Sequence, residues 1–458
     1  MTHPLLNTHF LTRGLSLKDA HHAYHKRRQA LMTLCPFPIV IQGIPSSLNA
    51  HIPWLMTREP FYQDPLFFFL TGINQPGATL ILNPLDKNKP ELLLLPSKNT
   101  HMEFWEGPQL GVGDPQANKE ATQITGIKII KNTTDLWAIM TSIIKNQRSQ
   151  TIGIFWHTNQ RRRPVIKDHH YRFKLQCRRW LKTQENAISL VNISSQQYQL
   201  RLPLDSTDIN HIKTANTMTT NTFKMIVNAL PSCESETDVH AIIDQQTRSQ
   251  SWMGYSFPPI IASGKNAQIL HYHANTAPLD PNGLLLIDMG VRYETMPSDI
   301  TRTIPVNGRF NPLQALLYTI VLDAQSHVES LVKPGVTIDL LNNACWDYIE
   351  TQLSAVLTAG NGTLSRAYKK SPHNVSHLIG LAVHDGDPQR HYRTMPLVPG
   401  MVISNEPGFY GDIELTIDGK QYKDSIGIRI EDNLLITQTS CQNLTPCPKT
   451  IQDIEALF

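Results

Sequence analysis

Residues 255–310 read YSFPPIIASGKNAQILHYHANTAPLDPNGLLLIDMGVRYETMPSDITRTIPVNGRF, and two aspartates in that stretch decide the reading. Asp288 closes the apolar run LLLI, and Asp299 opens DITRTIPV eleven residues later. An acid at the end of an apolar strand is costly to bury unless it is hydrogen-bonded, paired or bound to a cation. Three later residues share this kind of setting. His377 lies in HNVSHLIGLAVHD, Glu406 in ISNEPGFY, and Glu431 in IGIRIED. Taken singly, each is more often a cap or a surface acid. The combination of four carboxylates and one imidazole is what points to chemistry.

Four carboxylates and an imidazole suit two hard or borderline divalent cations. Manganese fits this ligand set first, with zinc and cobalt as alternatives. Ions of this kind lower the pKa of a water they hold and polarise a nearby carbonyl. His373 and His377 are spaced i, i+4, but Asn374 stands where the H-E-x-x-H pattern needs glutamate, which excludes a zincin. The stretch GVGDP at 111–115 lacks the arrangement of a phosphate-binding loop.

Outward from this stretch, turn and cap signals organise the chain. Asn311-Pro312 and the box Ser235-Glu-Thr-Asp238 open helices, and Ser206-Thr207-Asp208 is expected to cap another. Leu313, Leu316, Leu317 and Ile320 form an apolar stripe. Residues 427–431 alternate strictly, which in a strand separates Ile428 and Ile430 from Gly427, Arg429 and Glu431. Upstream, the apolar runs at 67–70 and 78–82 flank the turn signal Asn74-Gln-Pro-Gly77, and a third run follows at 91–95. We expect an N-terminal arm over 1–20, an α/β domain over 21–195, a linker at 196–205 and an α+β domain over 206–458.

The chain has 458 residues, enough for two domains, and a formal net charge of +3. Its basic residues are scattered, which argues against nucleic acid or a membrane as partner. The densest basic cluster, Arg161, Arg162 and Arg163 with Lys167, reads as a solvated face. Six cysteines without a C-x-x-C pair fit free thiols in a reducing, cytoplasmic setting. The first residues lack the basic and apolar regions of a secretory signal.

Residues 255–310, together with HNVSHLIGLAVHD, NEPGFY and IGIRIEDN in that order, resemble aminopeptidase P, a group of the pita-bread metallopeptidases. PLFFFLTGINQPGATLIL and EFWEGPQLG resemble the N-terminal domain of the same group. The resemblance implies an α/β creatinase-like domain followed by an α+β pita-bread catalytic domain. It implies hydrolysis of the first peptide bond of peptides with proline at position two. Asp288 would hold one metal ion, Asp299 and Glu431 would bridge two, and His377 and Glu406 would complete the ligand set of the second ion. Glu406 would also carry the proton. His373 and His384 would stabilise charge on the reacting carbonyl, His271 would lie near the proline ring, and Tyr410 and Arg429 would orient ligands and substrate. Trp105 would reach a substrate channel from a neighbouring subunit, although Gln109 stands where the family has arginine. His273 matches no family position and is expected at the surface. A homotetramer or homodimer is implied. A prolidase is the alternative reading, and a metal-free pita-bread binding module is disfavoured by the intact ligand set.

Overall fold

The computed structural model describes residues 3–45, 61–147, 149–157, 168–185, 187–251, 253–386 and 390–458. The expected basic cluster of Arg161, Arg162, Arg163 and Lys167 lies outside them. The chain forms two units that change over between Arg201 and Leu202. The helix Ser194–Arg201 occupies most of the stretch expected to be a linker and belongs to the first unit.

The first unit is built on a six-stranded mixed sheet. The strands Thr79–Leu82 and Glu91–Leu95 form an antiparallel hairpin beside Ile39–Gln42. Ile129–Asn132, Thr151–Ile154 and Ser189–Asn192 add in parallel. Val40, Ile81, Leu94, Ile152 and Ile154 pack with Phe173 and Met140 of the covering helices, so one apolar face is sealed by segments far apart in sequence. The apolar run at 67–70 lies in a buried helix, Pro65–Thr71, capped by Asp64 and opened by a proline. That helix ends at Gly72 with φ 71°, where a Cβ would stand 2.4 Å from the Tyr24 ring.

Residues 3–20 do not form the arm their aperiodic sequence suggests. Leu5, Phe10 and Leu11 are buried, and the Phe10 ring meets Tyr24 edge-on at 5.7 Å. A helix already begins at Leu17, capped by Ser16. Irregular backbone carries no period, so side-chain burial there leaves little trace in a pattern search.

In the second unit the helix Ser206–Ala229 is capped by Asp205, which accepts from the Asp208 N–H. The cap therefore falls one residue before the expected Ser-Thr-Asp run. The box at Ser235 and the cap at Asn311 form as expected, and Gln314 turns the latter into a box as well. On the helix Pro312–Leu331, Leu313, Leu317 and Ile320 are buried and Leu316 half-buried. Three sets of strands follow. Leu284–Met289 lies between Ile300–Pro305 and Ile260–Ser263, antiparallel to both. Val402–Asn405 lies between Leu378–Ile379 and Asp432–Ile436. A long hairpin joins Gly408–Ile417 to Lys420–Arg429. Residues 426–429 are buried on both faces. Gly427 is required there, because a Cβ would approach the Ala267 carbonyl oxygen to 2.2 Å. All six cysteines are free. Among the described residues no helix is long and apolar enough to cross a membrane.

Candidate metal centre

Four of the five acid and imidazole positions lie at strand ends. Asp299 immediately precedes Ile300–Pro305, His377 precedes Leu378–Ile379, Glu406 follows Val402–Asn405, and Glu431 precedes Asp432–Ile436. Asp288 lies one residue inside the end of Leu284–Met289, opposite Thr301. Register then gathers them. Asn405 pairs with Asp432, which brings Glu406 beside Glu431, and Leu378 pairs with Ile403, which brings His377 alongside. At a strand end a side chain is released from strict in–out alternation, so several can converge on one point.

The convergence is close. His377 Nε2 stands 3.3 Å from Asp299 Oδ2 and 3.4 Å from Glu406 Oε1. Donor atoms of Asp288, Asp299 and Glu431 fall within 4.8 Å of one another, as do those of His377, Glu406 and Glu431, and those of Asp299, His377 and His384. The His384 ring lies 4.1 Å from that of His377. Asp288 Oδ1 is buried with no hydrogen-bond partner among the described residues.

Burial raises the carboxyl groups of the cluster. Asp299 is held up at about 6 by burial and by the charge of Asp288, against the pull of His377. Burial pushes Glu406 up to about 7, with His377 opposing it and Asp299 adding to it. Glu431 rises well above the carboxylate range through burial and the charges of Asp299, Glu406 and Asp288. Burial alone would lower His377, but its bond to Asp299 and the charge of Glu406 carry it up to about 9. Crowded carboxylates of this kind either hold protons or share a cation.

The donor set fits divalent cations. His377 Nδ1 faces the Leu378 carbonyl at 3.3 Å and is the donor there, so Nε2 can present its lone pair to the carboxylates. The orphaned Asp288 oxygen and the raised carboxyls are what a cation would satisfy.

A hydrogen-bonded chain leads away from the cluster. Arg429 Nη2 lies 2.5 Å from Asp288 Oδ2, and Arg429 Nη1 donates to Tyr410 Oη at 3.3 Å. Tyr410 Oη lies 3.0 Å from His373 Nε2, and His373 Nδ1 lies 2.9 Å from the Asn374 carbonyl oxygen. A carbonyl only accepts, so His373 Nδ1 carries the proton and Nε2 accepts from Tyr410. Burial lowers His373 to about 4, which keeps it neutral. Both of its ring nitrogens are thus engaged by protein groups. The backbone at 372–377 is not helical, consistent with excluding a zincin.

The remaining expected positions are more open. His271 is exposed and stacks on the exposed His273 with ring centroids 6.2 Å apart. His271 is near enough that its charge helps depress His373. Trp105 belongs to the first unit, where it is 69 % exposed on the helix Thr100–Glu106. The Gln109 N–H donates to Glu103 Oε1 at 3.1 Å.

Three supporting residues escaped the sequence reading. Asn433 grips the Asp299 backbone, with Nδ2 donating to its carbonyl at 2.6 Å and Oδ1 accepting from its N–H at 3.2 Å. Thr301 Oγ1 donates to Glu431 Oε2 at 2.8 Å, and Ser404 Oγ donates to Glu406 Oε1 at 3.2 Å. Their common signal is a polar residue within two positions of an acid in a strand-end motif.

Strands that bring buried acids and an imidazole to their ends define a metal-dependent peptidase when they match a known frame, and they do. The family model for metallopeptidase family M24 matches residues 210–438, and that for the aminopeptidase P N-terminal domain matches residues 24–152. The Xaa-Pro aminopeptidase of Haemophilus influenzae is 32 % identical over 87 % of this chain and 89 % of its own length. Xaa-Pro aminopeptidase 3 of Rattus norvegicus is 28 % identical over 100 % of this chain and 89 % of its own. The structure of a putative aminopeptidase P from Bacillus anthracis superposes with a TM-score of 0.79 at 25 % identity, covering 95 % of this chain and 98 % of that one. The chain therefore belongs to the aminopeptidase P group of family M24, with the pita-bread catalytic fold of those metal-dependent hydrolases.

Proposed function

We propose that the protein is an Xaa-Pro aminopeptidase that uses two divalent ions per chain, manganese first, with zinc and cobalt as alternatives. The observation that carries this reading is the buried cluster of Asp288, Asp299, His377, Glu406 and Glu431, with Asp288 Oδ1 left without a partner. In this reading all five are ligands, and Asp299 and Glu431 serve both ions. Ions held there would supply an activated water nucleophile and polarise the scissile carbonyl.

The chain's own residues do the rest. An Xaa-Pro bond is a tertiary amide without an N–H, and its nitrogen departs only when protonated. Glu406 takes the proton of the attacking water and delivers it to that nitrogen. His384, beside His377, stabilises the charge growing on the carbonyl oxygen. His373, expected for the same task, contributes to it indirectly, by accepting from the Tyr410 hydroxyl and holding it in place. Arg429 and Tyr410 fix Asp288 and His373, His271 contacts the peptide, and Trp105 reaches it from a neighbouring subunit. The substrate-binding role of Trp105 rests on the resemblance. Six free thiols support a cytoplasmic setting, and the group resemblance supports a homotetramer or homodimer.

The test is kcat/KM on four substrates: an Xaa-Pro-Yaa tripeptide, its C-terminal amide, its N-acetyl form and the Xaa-Pro dipeptide. We expect the tripeptide to be cleaved at least as well as the dipeptide, the amide to cost little, and acetylation to abolish cleavage. Strong preference for the free dipeptide would make the protein a prolidase.

A further inference from the structure

We propose that the first unit carries a separate binding site for one transition-metal cation of the zinc class, formed by Asp64, His169 and His170. His170 Nε2 stands 2.9 Å and His169 Nε2 3.6 Å from Asp64 Oδ2, and the three donor atoms lie within 4.8 Å of one another. Two ligand atoms each about 2.1 Å from one tetrahedral ion lie about 3.4 Å apart, so the 3.6 Å spacing is close to that of a shared coordination sphere, and the 2.9 Å spacing is a hydrogen bond that a cation would open by a few tenths of an ångström.

The local structure is built for this convergence. His169 and His170 are the first two residues of the helix His169–Leu181, where neighbouring side chains ordinarily diverge. Here their rings lie 3.9 Å apart, tilted by 37°, and both aim at the same carboxylate. Asp64 divides its oxygens. Oδ1 accepts from the Phe67 N–H at 2.8 Å as a helix cap, which leaves Oδ2 to the histidines. The Phe155 ring stands edge-on to His170 at 4.5 Å and fixes its orientation. Asp64 and His170 are 4 % and 5 % exposed.

A second observation calls for a ligand. Among the described residues His169 Nε2 is buried with no hydrogen-bond partner, because 3.6 Å to Asp64 is beyond hydrogen-bond reach. A buried imidazole nitrogen without a partner is costly, and a cation between the two rings and the carboxylate would satisfy it. His157 lies beside the group, its ring 5.5 Å from that of His170 and its Nδ1 likewise buried without a partner. Two imidazoles and a carboxylate form a three-ligand set of the kind that holds zinc with a further position open. These residues lie in the first unit and share none with the cluster of the second.

The experiment compares zinc content per chain, by mass spectrometry after saturation and desalting, in wild type, His169→Gln and His170→Gln. We expect one zinc fewer in each variant, with cleavage of the Xaa-Pro-Yaa tripeptide unchanged. Equal zinc content in wild type and variants overturns the site and leaves a hydrogen-bonded Asp64–His170 pair. X-ray absorption at the zinc edge of the wild-type protein supplies a reading that needs no variant at the site. With the catalytic cluster first filled by manganese, the added zinc should show two imidazole ligands and a carboxylate, and a shell with at most one imidazole, as zinc in the catalytic cluster would give, overturns the proposal.

Discussion

Arg429 Nη2 contacts Asp288 Oδ2 at 2.5 Å, which ties a buried acid of the metal cluster to the hairpin strand Lys420–Arg429. The same guanidinium bonds Thr301 Oγ1 at 3.0 Å through Nε, and Thr301 in turn bonds Glu431. One cation thus holds two acids of the cluster, one directly and one through a hydroxyl. Its five fixed donors make this arrangement unavailable to lysine.

Arg429→Met should therefore destabilise the metal-free protein by about 3–5 kcal/mol, the usual cost of leaving a buried charge without its partner. The loss should shrink when metal is bound, because a cation then compensates Asp288. Urea unfolding of chelated and loaded protein measures both. An equal loss in the two states would show that Arg429 acts by packing alone.

Metal-free protein should lose stability as pH rises. Asp299 and Glu406 sit at about 6 and 7 in the folded chain, above their ordinary 3.8 and 4.5. Between about pH 4 and 7 the folded chain therefore holds protons that the unfolded chain has released, and raising pH favours unfolding. His377 acts in the same direction. Its raised value, about 9 against 6.5, gives stability that is complete below pH 6.5 and lost as pH rises through 9. The melting temperature in chelator should thus be higher at pH 5 than at pH 8, and manganese should reverse the order. A chelated protein that melts higher at pH 8 would contradict the charge balance drawn here.

The five proposed ligands were legible because each sits in a short motif that joins an apolar run to an acid or imidazole. Their gathering was not legible in the same way. It depends on register, such as Asn405 opposite Asp432, which links residues far apart in sequence. Asn433 shows the limit. Its identity is plain in IEDN, but its grip on Asp299 exists only after two strands pair. The first twenty residues failed for the opposite reason, since Phe10 is buried without belonging to any periodic element. Asp64, His169 and His170 were missed because two neighbouring histidines gain meaning only when a distant carboxylate meets them.

Glu406→Gln should keep part of the metal, since an amide oxygen still coordinates, yet lose turnover by about 10²–10⁴-fold, the contribution of an acid–base group. The measurement is kcat on an Xaa-Pro-Yaa peptide alongside metal content. Turnover near wild type in a metal-loaded variant would remove Glu406 from proton transfer and leave it a ligand only.

His373→Ala and His384→Ala separate two kinds of support. His373 has both ring nitrogens engaged, by Tyr410 Oη and by the Asn374 carbonyl. Its removal should leave metal content unchanged and lower kcat, because Tyr410 loses its acceptor and Arg429 one fixed partner. Tyr410→Phe cuts the same link from the other side, so it should reproduce the His373→Ala defect, and the double variant should be scarcely worse than either single change. His384 is placed differently, with its ring 4.1 Å from His377 and a nitrogen within reach of Asp299. If it stabilises charge on the carbonyl oxygen, His384→Ala lowers kcat and kcat/KM together by about 10²–10³-fold while metal remains. Loss of one metal equivalent from His384→Ala would instead make that histidine a ligand. Additive losses for His373→Ala and Tyr410→Phe would show that the chain from Arg429 to His373 does not act as one unit.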